Sequence, residues 1–289
     1  MRASLRLGTF AGIKVGIHWS IGLIAVLLTI SLAGTILPAT AAGYSSAVYL
    51  IAALTAAMLF MGSIVAHELG HSVVAERNDV RVRGITLFAL GGVATLESEP
   101  ESPGVAARIA LAGPAVSLAI GAASLLAAAI LGAFGLPAIV GAALLWLGIV
   151  NVALAIFNML PALPLDGGRV LQAALWRRSG DQHKATISAA TIGRYLGWGL
   201  VFFGLWQFTQ GAAGLWTAMI GVFIIATARG EEFRARFLRR QEQQAQRIDQ
   251  VDPSAIFRIF QQTPASNPGY QRGQVIEVTG REAGTQGVS

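Results

Sequence analysis

His67-Glu68-Leu69-Gly70-His71 sets two imidazoles four residues apart with a carboxylate beside the first. Residues four apart on a helix share a face, so both rings can reach one ion. Glu68 projects beside them and can take a proton from an attacking water. Chance alone would place H-E-x-x-H in roughly 0.002 of chains of this composition, so the pattern is a signal. The competing role is a hydrogen-bonded histidine pair in a core. Inside an apolar helix, however, two His and one Glu are costly and read as functional. Cysteine is absent and the histidines are His18, His67, His71 and His183, so a metal must be held by His, Asp or Glu.

A catalytic zinc takes three protein ligands and keeps one position open. The best candidate for the third is Asp166, the only acidic residue between Glu101 and Asp181. It closes the run Asn158-Met-Leu-Pro-Ala-Leu-Pro-Leu-Asp166-Gly167, in which Pro161 and Pro164 stop a helix and set the loop that aims the carboxylate. The competing role for Asp166 is N-cap of a short helix at 167–176. Glu76 is the weaker candidate ligand.

The elements that must position these residues are membrane helices. Hydrophobic residues make up 54% and charged residues 12%, about half the charge of an ordinary soluble domain. Charge-free stretches from Lys14 to Glu68 and from Arg108 to Asp166 each hold two spans of about 20 residues. With the stretch around Tyr195–Thr227, the expected spans lie near 17–37, 46–76, 105–133, 138–160, 186–208 and 212–228. The turns at 38–45, 134–137 and 209–211 carry no charge, and all 21 Lys and Arg fall on the other side. That is the positive-inside pattern of six spans with both termini cytoplasmic. It also accounts for the net charge of +6 without a nucleic-acid partner.

The first apolar run, from Trp19, is expected to stay as a membrane anchor rather than a cleaved leader. His71 lies six residues before Arg77, which places the metal roughly 9 Å inside the cytoplasmic boundary at about 1.5 Å per residue. The expected organisation is a membrane core over 1–229, a polar helix over 230–252 and a weakly ordered tail over 253–289.

Two of these patterns together resemble the site-2 protease family of intramembrane zinc metalloproteases. H-E-x-x-H at 67–71 is similar to its first motif, and Asn158, Pro161, Pro164, Asp166 and Gly167 to its N-x-x-P-x-x-P-x-D-G motif. The resemblance covers about residues 10–230. It implies an all-α polytopic membrane fold of six transmembrane helices with a small membrane-associated β-hairpin near the active site. It implies one Zn2+ bound by His67, His71 and Asp166, with Glu68 as catalytic base. Asn158 would position the substrate or stabilise the oxyanion; an interhelical hydrogen bond is its other reading. The hairpin falls at Gly84 to Glu97, where Gly91, Gly92 and Val93 would hold unwound substrate by strand addition; a tight turn requiring glycine is the alternative.

The chain departs from the family's G-P-x-x-N pattern at Gly113-Pro114-Ala-Val-Ser117, with serine in place of asparagine. The loop at 77–104 is too short for a PDZ domain, which points to the branch of the sporulation-factor-processing proteases in a prokaryotic cell membrane. The tail is too short for a CBS pair, so nucleotide regulation through one is not expected. The resemblance implies membrane-anchored regulatory proteins as substrates. A metal-ion transporter or carrier is the alternative function, disfavoured by the single compact site. A silent scaffold is disfavoured by the intact Glu68. His18 with Trp19 reads as an interfacial anchor. Arg194 either snorkels to the interface or faces the cavity, and His183 sits in a polar loop.

Overall fold

Long runs without a charged side chain become long helices. The computed structural model describes residues 4–249 apart from 11, 89–90, 97, 136 and 212–213. The first run forms α1 (Ser20–Ser31), a π turn (Leu32–Ile36), α2 (Leu37–Thr40) and α3 (Ser46–Glu76). The second forms α4 (Pro103–Ala133) and α5 (Ala138–Asn158). Serine hydroxyls open two of them: Ser45 accepts from the Val48 N–H and Ser102 from the Val105 N–H, each satisfying a donor that the first helical turn leaves over.

Ser20–Thr40, α3, α4 and α5 are the four helices long and apolar enough to cross a membrane. Their outward faces expose Leu23, Ile30, Leu54, Met58, Leu126 and Ile130, an apolar surface suited to lipid rather than water. Three helices follow: α6 (Asp166–Ser179), α7 (Gln182–Phe208) and α8 (Gly214–Asp249). The last two occupy the places expected for the fifth and sixth spans. They are not among the four, because Lys184 and Arg194 dilute α7 and α8 turns polar at Arg229. The polar stretch from 230 is also not a separate helix. It continues α8, since Gly230 alone does not break a helix. The described residues 240–249 fall outside the unit formed by the preceding chain, and the expected tail at 253–289 lies outside the described residues.

Glycines let α7 and α8 approach closely. A Cβ at Gly204 would lie 2.4 Å from the Ala218 nitrogen, and one at Gly221 would lie 2.6 Å from the Gly197 carbonyl. Arg194 on α7 pairs with Glu232 on α8, which also holds Arg236; Glu232 is 6% exposed. The charge of Arg194 is therefore committed to a buried carboxylate. At the N-terminus of α7, Asp181 caps the helix by accepting from the Lys184 N–H at 2.8 Å. Its slight burial opposes ionisation, but that hydrogen bond and the nearby Arg239, Lys184 and His183 hold its carboxyl below the usual range.

Where a lone hairpin is expected, four strands form one sheet in the order β1-β2-β3-β4, so the fold is helical with a sheet rather than all-α. They are β1 (Leu5–Phe10), β2 (Ile13–Ile17), β3 (Val82–Phe88) and β4 (Gly91–Leu96). β1 and β2 are antiparallel, β2 and β3 are parallel with Val15 opposite Ile85, and β3 and β4 are antiparallel with Thr86 opposite Val93. Alternation buries Ile13, Val15, Ile85 and Leu87 on one face, against Ile64, Val65, Leu69 and Val73 of α3. Each such side chain contributes about 1.5–3 kcal/mol. Leu69 lies inside H-E-x-x-H, so this contact fixes the sheet to the helix that carries the motif.

Candidate metal centre

α3 and α4 meet at almost backbone distance. A Cβ at Gly70 would lie 2.9 Å from Val116 Cγ2 and 3.1 Å from the Ala112 carbonyl. Along this contact His71 lies against Ile109, and His67 against Ser117, so the helices run antiparallel. His71 Nδ1 is 2.6 Å from the Ile109 carbonyl, and His67 Nδ1 is 2.9 Å from Ser117 Oγ. Between these two partners sits Gly113, where a Cβ would be 2.2 Å from His71 Nε2 and 2.6 Å from His67 Nε2. The space under both rings exists because that residue has no side chain.

Asp166 arrives from the other half of the molecule. Two glycines fold the first turn of α6 tightly onto the loop before it. A Cβ at Gly167 would fall 2.2 Å from the Met159 carbonyl oxygen, and one at Gly168 would fall 2.3 Å from the Ala162 carbonyl carbon. Ala162, Leu163 and Leu165 of that loop are buried against α7 and α8. The N-cap of α6 is Leu165 and no side chain caps the helix. Asp166 is thus spared the capping role and turns to the two histidines.

His67 Nε2 and His71 Nε2 are 3.2 Å apart, and Asp166 places Oδ2 and Oδ1 each 3.3 Å from one of them. The side chains are 6%, 14% and 13% exposed. Among the described residues, these three are the group of His, Asp and Glu that could hold a metal ion. Zinc bonds of about 2.0–2.1 Å in tetrahedral geometry imply ligand–ligand edges of about 3.3–3.4 Å; the Nε2–Nε2 distance of 3.2 Å and the reach of 3.3 Å from each ring to one carboxylate oxygen are of that size. Asp166 Oδ2 is buried and makes no hydrogen bond, the state of an acceptor that faces a cation. Burial works against ionisation of Asp166, yet the two imidazoles beside it hold its carboxyl down at about 2. The donor set is one anionic carboxylate and two imidazoles whose Nδ1 atoms have acceptors. It fits zinc.

Glu68 is half-buried on α3 next to His67. Glu76 is exposed and engaged elsewhere, its Oε1 accepting from the Val82 N–H at 2.6 Å, and it stands outside the group. Asn158 ends α5, and its amide donates to the Leu154 carbonyl at 3.0 Å, a bond within its own helix rather than between helices. Gly91 and Gly92 lie in β4 opposite Phe88 and Leu87. Among the described residues β4 pairs with β3 alone, and both strands pack against α3. His18 ends the β2 region, its N–H donating to the Leu87 carbonyl at 2.8 Å, beside a Trp19 that is 68% exposed. His183 lies in the first turn of α7 rather than a loop. The parts that sequence reasoning left without a role are Ile109, Gly113 and Ser117. Their spacing of four residues on α4 mirrors that of the two histidines on α3.

Comparison with known proteins shows the family. The profile of Peptidase family M50 matches residues 55–142 and 137–202, together just over half of the chain. A Mycobacterium tuberculosis protein named as a zinc metalloprotease, Rip3, is 46% identical over 236 residues, covering 81% of this chain and 60% of that one. A Synechocystis protein, also named as a zinc metalloprotease, is 36% identical over 258 residues, covering 88% and 66%. The chain thus spans less than two thirds of the length of these relatives. The solved structure of the site-2 protease from Methanocaldococcus jannaschii superposes with a TM-score of 0.52 at 30% identity, over 79% of this chain and 94% of that one. From motif, metal geometry, profile and superposition alike, the chain belongs to peptidase family M50, the site-2 proteases.

Proposed function

We propose that this protein is an intramembrane zinc metalloendopeptidase that cleaves membrane-anchored regulatory proteins within or near their transmembrane segments. The observation that carries the reading is the convergence of His67 and His71, 3.2 Å apart at Nε2, on the carboxylate of Asp166, which places one oxygen 3.3 Å from each ring. These residues are the proposed ligands of one Zn2+. Bound zinc supplies Lewis acidity to the scissile carbonyl and lowers the pKa of water. Glu68 takes the proton from the attacking water and returns it to the leaving amine. Asn158, at the mouth of the loop that carries Asp166, is proposed to steady the substrate carbonyl, which requires its amide to leave the Leu154 carbonyl.

A transmembrane helix cannot be cut while its carbonyls are hydrogen-bonded, so the substrate must be held extended. The edge of β4 that pairs with no other strand among the described residues is the proposed holder, at Gly91, Gly92 and Val93, through backbone bonds. Consecutive N–H groups of a strand point to opposite sides. Of Gly92→Pro and Val93→Pro, one therefore removes an outward donor and the other a bond to β3. The outward variant should lose cleavage with zinc and fold intact, and full activity in both would exclude strand addition.

The topology proposed is six spans with both termini cytoplasmic. Exposed Trp198, Phe202, Trp206, Trp216 and Val222 on α7 and α8 support lipid contact there. No observation favours a transporter. The test of the whole reading is reconstitution with single-span substrates. Stripping zinc with a chelator should abolish cleavage and adding it back should restore it. Cleavage indifferent to zinc would overturn the proposal.

A further inference from the structure

The two imidazoles are not held alike. A histidine that binds a metal through Nε2 carries its ring proton on Nδ1, and that N–H needs an acceptor to fix the ring. For His71 the acceptor is the Ile109 carbonyl at 2.6 Å. A backbone group supplies it, so any residue at 109 would serve. For His67 the acceptor is Ser117 Oγ at 2.9 Å, and it depends on one side chain. Ser117 is 0% exposed and His67 5% exposed, so bulk water cannot replace the hydroxyl.

The hydroxyl could in principle donate to Nδ1 instead of accepting from it. That would put the ring proton on Nε2, which faces His71 Nε2 at 3.2 Å and Asp166 Oδ2 at 3.3 Å. Such a tautomer would have no lone pair for a metal. With Nε2 committed to zinc, the ring proton lies on Nδ1 and Ser117 Oγ is its acceptor. Ser117 stands where the family pattern has asparagine, and either side chain offers an oxygen that can accept a hydrogen bond.

Resting on the zinc reading above, we propose that Ser117 is a positioning residue for the metal site. Its hydroxyl accepts the Nδ1–H of His67 and holds the ring in the tautomer and orientation that present Nε2 to zinc. It touches neither substrate nor metal, and it acts through His67. Loss of such a partner costs about 10–100-fold in metal affinity.

The test uses the full chain in detergent or nanodiscs and reads zinc affinity by chelator competition, with the visible spectrum of the cobalt(II)-loaded protein as a second readout. Ser117→Thr keeps the hydroxyl, whereas Ser117→Val has nearly the same shape without it. Thr should bind zinc within about threefold of wild type, while Val and Ser117→Ala should bind about 10–100-fold more weakly and shift the cobalt spectrum. Wild-type affinity in Val and Ala overturns the proposal. Equal losses in Thr and Val also overturn it, because packing rather than the hydroxyl would then be responsible. His67→Ala separates this inference from the reading beneath it. If His67→Ala loses zinc and Ser117→Ala does not, only the role of Ser117 fails. If His67→Ala binds as wild type does, the metal site itself is wrong and the role of Ser117 falls with it.

Discussion

Replacing Gly113 by alanine adds one methyl group in the space beneath the two imidazoles. Built on the existing backbone, that carbon lies 2.2 Å from His71 Nε2, 2.6 Å from His71 Cε1 and 2.6 Å from His67 Nε2. Nonbonded carbon–nitrogen contacts need about 3.5 Å, so the His71 ring must retreat by about 1 Å. Metal–ligand distances tolerate only about ±0.2 Å, and the required shift is several times that. The variant should therefore lose at least one ligand. We expect zinc affinity to fall by ~100-fold or more, equivalent to about 2.8 kcal/mol at 1.4 kcal/mol per decade. Helix propensity works in the opposite direction, since alanine is favoured over glycine by about 1 kcal/mol inside a helix. The zinc-free variant should thus stay folded and helical. Gly141→Ala on α5 is the control, because nothing lies within 4 Å of its added Cβ. Chelator competition with metal analysis gives the numbers. If Gly113→Ala binds zinc as wild type does, the rings do not meet a metal over Gly113 and the geometric reasoning fails.

Two further outcomes follow from charged groups of unlike burial. Asp166→Ala should lower zinc occupancy, whereas Asp181→Ala should keep zinc and lose only the α7 cap, about 1 kcal/mol in a thermal melt; equal zinc in wild type and Asp166→Ala would remove Asp166 from the ligand set. Glu232→Ala strands Arg194 and Arg236 and should destabilise by about 2–3 kcal/mol, below the ~3–5 kcal/mol of a fully buried pair because Arg194 is 33% exposed. Arg234→Ala, whose partner Glu99 is 56% exposed, should cost less than about 1 kcal/mol. Melts in which the two variants shift equally would contradict the assignment of Glu232 as the buried centre of the α7–α8 contact.

The chemistry was more legible in the sequence than its supports. H-E-x-x-H and the run ending in Asp166 could be read because groups able to bond metal are few in this chain and the two histidines have helical spacing. Helix ends marked by charge or by proline were also readable: α3 runs from Ser46 to Glu76 as the pattern implies. β1 and β2 left a faint signal: Ile13, Val15 and Ile17 alternate with Lys14 and Gly16 over only five residues, beside a far stronger apolar run. The cradle on α4 was hidden for a different reason. Ile109 acts through its carbonyl and Gly113 through the side chain it lacks, so neither leaves a mark in residue type. Only Ser117 was visible, as a departure from a pattern, and its partner His67 lies 50 residues away. α7 and α8 fall short of the apolar composition of the four spanning-length helices, yet their Arg194 and Glu232 answer each other across the helix pair, a compensation that composition cannot register.

The most direct test of the central claim separates metal binding from proton transfer in one variant. Glu68→Gln removes the base and leaves His67, His71 and Asp166 in place. Metal content and cleavage of a reconstituted single-span substrate are measured on the same preparation. The account predicts wild-type zinc content with cleavage slowed by at least about 10²-fold, the lower end for loss of a general base. Zinc-loaded Glu68→Gln that cleaves at the wild-type rate would contradict it.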